Sequence, residues 1–459
     1  MIVPGLLRPR SSDEYAPLPW SQADRRAIIA FDAIASSATR GLAQTAREYA
    51  FDRRGTAASL LAIDAAHGGG FYAVPAAAVV DLEAADAAFG GGGGPVVDVQ
   101  THLVDPERWV GPGADALAGF LRMADPDRWT DPIDPRAIDG AAWAALVFGA
   151  SETAVALLTS TPGRADVNVL TNPQIAAARD VVERYAGTGR VLTHTIVHPN
   201  LGPSELDAMV DWQATLRPSG WKTYTLWGPP TKASPTGGWF LDDEEVGYPF
   251  LERVRALGPR VVASHKGIGG PIPDASAAAA SPRDIGPAAA AFGDIAFVVY
   301  HSGYERNPDG QEGAFVAAHP ERDTGVDRLV RSVLDAGNPR NVYAELGTTW
   351  FLMLRRPVEA AHVLGKLLVA LGPERIVWGT DCAWYGSPQP LIDAFRAFTI
   401  PDAMQARYGY PALTAAVKDQ ILGANAQTLY GVAAAPRVDG DWAAKAAVEL
   451  QRTIRAAGN

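Results

Sequence analysis

The stretch PVVDVQTHLVDPERW, residues 95–109, decides the fold. Its apolar run is interrupted at every second residue by Asp98, Gln100 and His102. On a strand that spacing puts the three side chains on one face. The run follows five glycines at 90–94 and ends on polar, ligand-type side chains. This is how a first barrel strand reads when the site is built at its C-terminal end.

Working outward, runs of the same kind recur. They are TAVALLTS (153–160), RVLTHTIVH (190–198), WKTYTLW (221–227), RVVASHKG (260–267), IAFVVYHSG (295–303), NVYAELGT (341–348) and RIVWGTDC (375–382). Helical stretches lie between them, among them NPQIAAARDVVERYAG, GVDRLVRSVLDAG and PVEAAHVLGKLLVALG. Each ends at a glycine, which stops a helix by entering the left-handed region. Eight strands alternating with helices predict the α/β class and a (β/α)8 TIM-type barrel over residues 95–432. An open doubly wound sheet is the second choice, because no glycine-rich phosphate loop follows the first strand.

Residues 1–94 read as a helical N-terminal extension closed by the Gly-rich joint, with Ser21 as a helix N-cap, and 433–459 as a helical C-terminal tail. The extension is expected to pack on the barrel or to exchange with a second chain. Arg53 and Arg54 precede an apolar stretch, but Asp64 interrupts it, so an amphipathic helix is the expectation rather than an export signal. The net charge of −11 argues against nucleic-acid and anionic-membrane partners. No segment is apolar enough to span a bilayer, and a cytoplasmic location is expected. Cys382 is the one cysteine, which excludes an intramolecular disulfide and a multi-cysteine zinc site. Any metal must therefore be held by histidine and carboxylate groups.

Gln100, His102, His265, His301, Glu345 and Asp381 all fall at predicted strand ends, where barrel loops converge. Gln100 and His102 face one way, and His265 and Asp381 can complete a set for one divalent metal, Zn²⁺ first, with Mn²⁺ or Fe²⁺ as alternatives. Lys222 and Lys266 are candidate substrate contacts, as are Trp227, Trp384 and Tyr304. His194 and His198 read as structural or substrate-contacting. Arg108, Arg122 and Arg128, in the long connection after the first strand, are candidate carboxylate clamps.

The segments DVQTH, ASHKG, VYHSGYE, VWGTDCAWYGSP and ILGANAQTLYG resemble the amidohydrolase superfamily. The likeness is to its branch related to α-amino-β-carboxymuconate-ε-semialdehyde decarboxylase, and it covers roughly 95–432. It implies His102 and His265 as metal ligands, His301 as general acid/base, and Asp381 as a ligand or as the group that orients water. Glu345 is a second acid/base candidate. Gln100 departs from the pattern, which has His or Glu there. The breadth of the family's chemistry implies a metal-activated water that cleaves a C–N or C–O bond of a small carbonyl-containing substrate, while the branch itself implies loss of CO₂. The alternatives are a decarboxylase of a small carboxylate and a barrel acting without an ion. Related barrels dimerise, so a homodimer is expected.

Overall fold

The computed structural model describes residues 5–7, 20–40, 45–90, 93–124, 129, 132–268, 276–305, 312–433, 438 and 441–458. Eight strands pair in parallel in chain order: β1 Val96–Thr101, β2 Thr153–Leu158, β3 Val191–Ile196, β4 Gly220–Tyr224, β5 Val261–His265, β6 Ala296–Tyr300, β7 Val342–Glu345 and β8 Ile376–Val377. The sheet closes on itself. Val99 N donates to Trp378 O (3.0 Å), Asp381 N to Gln100 O (2.8 Å) and His102 N to Cys382 O (2.6 Å). The α/β barrel expected from the sequence is the observed fold.

Every expected strand ends early, and for three of them the cause is local. The fourth turns after Tyr224, where Trp227 N bonds back to Tyr224 O (3.0 Å). The sixth stops at Tyr300, because His301, Ser302 and Gly303 all take positive φ (64°, 53° and 70°), which breaks a ladder. The eighth keeps only two ladder residues; the rest of GTDC bonds irregularly to β1.

The predicted helices are present as Asn172–Ala186, Gly325–Asp335 and Pro357–Leu371. Gly187 (φ 87°) and Gly372 (φ 83°) end the first and last of them, a conformation open to glycine and costly to other residues. Apolar side chains of the helices and of both terminal regions share one large core with the strands.

Ser21 caps the helix Gln22–Thr39 through a capping box with Asp24. The helix Arg53–Ala66 starts at Asp52, whose carboxylate accepts from Arg54 N (2.8 Å) and Gly55 N (3.1 Å). Arg53 forms ion pairs with Glu152 and with the buried Asp393 (3.3 Å). Ala73 N donates to Ala397 O and Thr399 N to Phe71 O, both at 2.8 Å. The extension thus lies against the helix Gln389–Ala397 that follows β8. At the other end of the chain, the helix Trp442–Ala457 packs on Asn172–Ala186. No helix among the described residues is long and apolar enough to cross a membrane.

The segment after β6 is anchored by a buried charge cluster. Lys366 Nζ lies 2.6 Å from Glu312 Oε2 and 2.6 Å from Asp327 Oδ1. Tyr304 donates to Glu359 (3.0 Å), which also accepts from Glu312 N (3.1 Å). Burial pushes the Glu312 carboxyl up from 4.5 to about 7, against the pull of Lys366. Between those values the folded chain holds a proton that the unfolded chain has lost. This contribution is therefore complete below pH 4.5 and disappears as pH rises to about 7, at up to about 1.4 kcal/mol per pH unit. Denaturant unfolding across pH 5–7 should show a shallower decline for Glu312→Gln than for the parent. An unchanged slope would mean that Glu312 is ionised throughout.

Candidate metal centre

His102, His265, His301, Glu345, Gln100 and Asp381 are all fully buried, and all stand at the C-terminal ends of β1, β5, β6, β7 and β8 or in the residues just beyond. Gln100 Nε2 donates to Asp381 Oδ1 (3.1 Å), and His102 Nε2 lies 2.9 Å from the same oxygen. His301 Nε2 lies 3.2 Å from His265 Nδ1. The positive φ of His301 and of Asp381, 64° each, bends both backbones out of the strand direction at this point.

One proton on each of the three imidazoles is fixed by a backbone carbonyl. His102 Nδ1 faces Thr159 O (3.2 Å), His265 Nε2 faces Ile268 O (3.2 Å) and His301 Nδ1 faces Gly347 O (2.8 Å). A carbonyl only accepts, so each of these nitrogens carries a proton. The inward nitrogens of His265 and His301 face each other 3.2 Å apart, where two lone pairs repel unless a cation or a proton lies between them, and His102 Nε2 faces the Asp381 carboxylate. Carbonyls that hold the far nitrogen of a histidine are the usual outer partners of a metal-binding imidazole.

Two buried atoms agree with this. Among the described residues, Gln100 Oε1 and His102 Nε2 have no hydrogen-bond partner of good geometry. The donor set, neutral imidazoles with one carboxylate and an amide oxygen, suits Zn²⁺, Mn²⁺ or Fe²⁺. Among the described residues no three His, Cys, Asp or Glu groups converge on one point. His102 and Asp381 form one contact pair and His265 and His301 the other; the donors fit a divalent cation by kind, as buried imidazole, carboxylate and amide groups.

Electrostatics hold the His265 and His301 rings neutral. Burial lowers His301 to about 4 and His265 well below the ordinary imidazole value, and Lys222 adds to both effects. The Lys222 ammonium sits 3.4 Å from the Tyr300 ring centre and 4.6 Å from that of Tyr224, whose ring stacks on His265 (5.1 Å). Glu345 accepts from His301 N (2.9 Å) and from Gly347 N, so it holds the loops that carry the site; burial raises it to about 8.

The other predicted residues separate. Trp384 stacks on His102 (5.5 Å, 15°) and belongs to the site. Trp227 packs on His198 (4.4 Å) at the neighbouring rim. Lys266 points away, 2.7 Å from the buried Asp284, and the Tyr304 hydroxyl belongs to the Glu359 anchor. His194 lies between the hydroxyls of Tyr300 (3.2 Å) and Tyr430 (3.1 Å). Arg108 spends its guanidinium on the carbonyls of Asn168 and Ala165. Arg128 lies outside the described residues.

Sequence reasoning left Asp98, Thr348 and Tyr385 without roles. Asp98 accepts from Gln100 N (3.1 Å), Thr380 N (3.0 Å) and Thr380 Oγ1, and so ties β1 to the segment that carries Asp381. Its two-residue spacing from Gln100 was the available signal. Thr348 donates to Asp381 Oδ2, and its only sequence signal is its place three residues beyond Glu345.

No curated protein matches the sequence. Among solved structures, a 2,6-dihydroxybenzoate decarboxylase from Rhizobium is 14% identical, covering 74% of this chain and 99% of that one, with a TM-score of 0.42. A 5-carboxyvanillate decarboxylase from Novosphingobium aromaticivorans, complexed with manganese and 4-hydroxy-3-methoxy-5-nitrobenzoic acid, is 13% identical over 74% and 96% (TM-score 0.42). A probable 2-pyrone-4,6-dicarboxylic acid hydrolase from Acinetobacter baumannii, with citric acid bound, is 12% identical over 73% and 99% (TM-score 0.44). The family model described as Amidohydrolase matches residues 97–432, from β1 to past β8, and the chain belongs to that family.

Proposed function

We propose that this chain is a metal-dependent hydrolase that cleaves a C–N or C–O bond in a small carbonyl-containing substrate. One observation carries the reading: three buried histidines, each with one nitrogen committed to a backbone carbonyl, turn their other nitrogens towards Asp381 and towards one another. Asp381, His102 and His265 would hold one divalent ion, Zn²⁺ before Mn²⁺ or Fe²⁺, with the Gln100 amide beside them. A bound cation supplies an activated water and polarises the carbonyl.

The remaining chemistry belongs to the chain. His301 donates Nδ1–H to Gly347 O, so Nε2 is the atom that takes up and returns a proton. Burial keeps that ring neutral near pH 7, in the form that accepts. Asp381 is oriented from both oxygens, by Gln100 Nε2 at Oδ1 and by Thr348 at Oδ2. Trp384 covers the His102 ring and restricts water on that side.

Decarboxylation of a small carboxylate is the second reading. It calls for a cationic clamp, and the guanidinium of Arg108 and the ammonium of Lys266 are engaged elsewhere. That leaves Lys222, whose ammonium lies over the Tyr300 and Tyr224 rings near His265, as the cation that a carboxylate would meet at this site. The cytoplasmic location, the homodimer and the placement within the decarboxylase-related branch stay with this proposal.

The test is metal content per chain after incubation with Zn²⁺, Mn²⁺ or Fe²⁺, followed by screens of lactone, ester and amide hydrolysis beside CO₂ release. About one ion per chain is expected. Gln100→His should tighten binding at least about tenfold, because a nitrogen donor replaces a weaker amide oxygen. An ion bound by Gln100→His and never by the parent would mean that glutamine disarms the site. CO₂ release without hydrolysis would favour the second reading.

A further inference from the structure

Thr348 follows β7 with φ 54° and ψ −44°, a backbone conformation that a β-branched residue adopts only at a cost. It stands at the N-cap of the helix Thr349–Met353, where a threonine side chain normally accepts from the first turn. Here it makes no such bond. The hydroxyl instead donates to Asp381 Oδ2. A hydroxyl has one proton, so the contact between Thr348 Oγ1 and the Tyr385 hydroxyl (3.0 Å) runs the other way, with Tyr385 donating. The Tyr385 ring is held flat against Phe351, 4.0 Å between centres and 9° between planes. All of these groups are buried.

We propose that Thr348 is a positioning residue for Asp381. Resting on the metal-site reading above, the inference is that its hydroxyl, oriented by Tyr385, occupies Oδ2 and so leaves Oδ1, the oxygen beside His102 and Gln100, as the one presented to the cation. The strained backbone at Thr348 is retained because it delivers a hydroxyl to a carboxylate in the segment that follows β8. Capping the helix does not require it, since the side chain does not cap.

The experiment is calorimetric titration of Mn²⁺ into metal-free protein, with melting temperatures measured alongside. Thr348→Val keeps the shape and removes the hydroxyl; Thr348→Ser restores it. Affinity should fall about 10- to 100-fold in Thr348→Val, as on losing an outer partner of a ligand, and stay within about threefold of the parent in Thr348→Ser. Tyr385→Phe should weaken binding several-fold in the same direction, and it carries the test if the valine variant does not fold. Equal Mn²⁺ affinity in Thr348→Val and the parent would overturn the inference while leaving the metal site intact. Equal affinity in Tyr385→Phe would overturn it where the valine variant is unfolded. A parent chain that binds no Mn²⁺, or an Asp381→Ala chain that binds it as well as the parent, would overturn the metal-site reading and this inference with it.

Discussion

Asp381→Ala is expected to abolish divalent-metal binding and any hydrolysis that depends on it, while the barrel stays folded. Asp381 is the one carboxylate on which Gln100, His102 and Thr348 all converge. Without it, neutral donors alone face the cation, and neutral donors do not compensate its charge. The loss should exceed the about 100-fold that follows removal of an outer partner. Equilibrium dialysis against Zn²⁺ measures it, and circular dichroism reports the fold. Retention of one tightly held ion per chain by the alanine variant would place the metal elsewhere and leave His301 and Glu345 to act without it.

Gly379→Ala is expected to produce the largest loss of stability near the site, about 3 kcal/mol, from overpacking together with unmade hydrogen bonds. A Cβ at Gly379 would lie 1.8 Å from Glu345 Oε1 and 3.2 Å from Gln100 Cβ. The carboxylate cannot step aside freely, because His301 N and Gly347 N both donate to it. A glycine in GTD is therefore required by the buried Glu345 beneath it, with no need to invoke the metal. Urea unfolding of Gly379→Ala beside Gly379→Ala/Glu345→Ala gives the check. The second substitution should recover part of the loss, and a double variant no better than the single one would locate the strain elsewhere.

Much of this protein is legible in the sequence because the information is local. Eight apolar runs of strand length, helices closed by Gly187 and Gly372, and the recurrence of Asp98, Gln100 and His102 at period two all follow from backbone geometry read one segment at a time. So does the gathering of His265, His301, Glu345 and Asp381 at strand ends, because parallel strands of a closed barrel bring those ends to one rim.

What the tertiary structure decided is which of these groups meet and in what protonation state. Strand alternation sends Lys222 towards the tyrosine rings and Lys266 to Asp284, a difference invisible while both were lysines near strand ends. Tyr304, a candidate for substrate, is spent on holding the loop after β6. The tautomers of His102, His265 and His301 are set by the carbonyls of Thr159, Ile268 and Gly347, which any residue would supply. Backbone groups carry no signature in the sequence, so their positions emerge only when the chain is closed into its barrel. Thr348 meets Asp381 for the same reason: a positive φ and the neighbouring strand bring together two residues 33 positions apart.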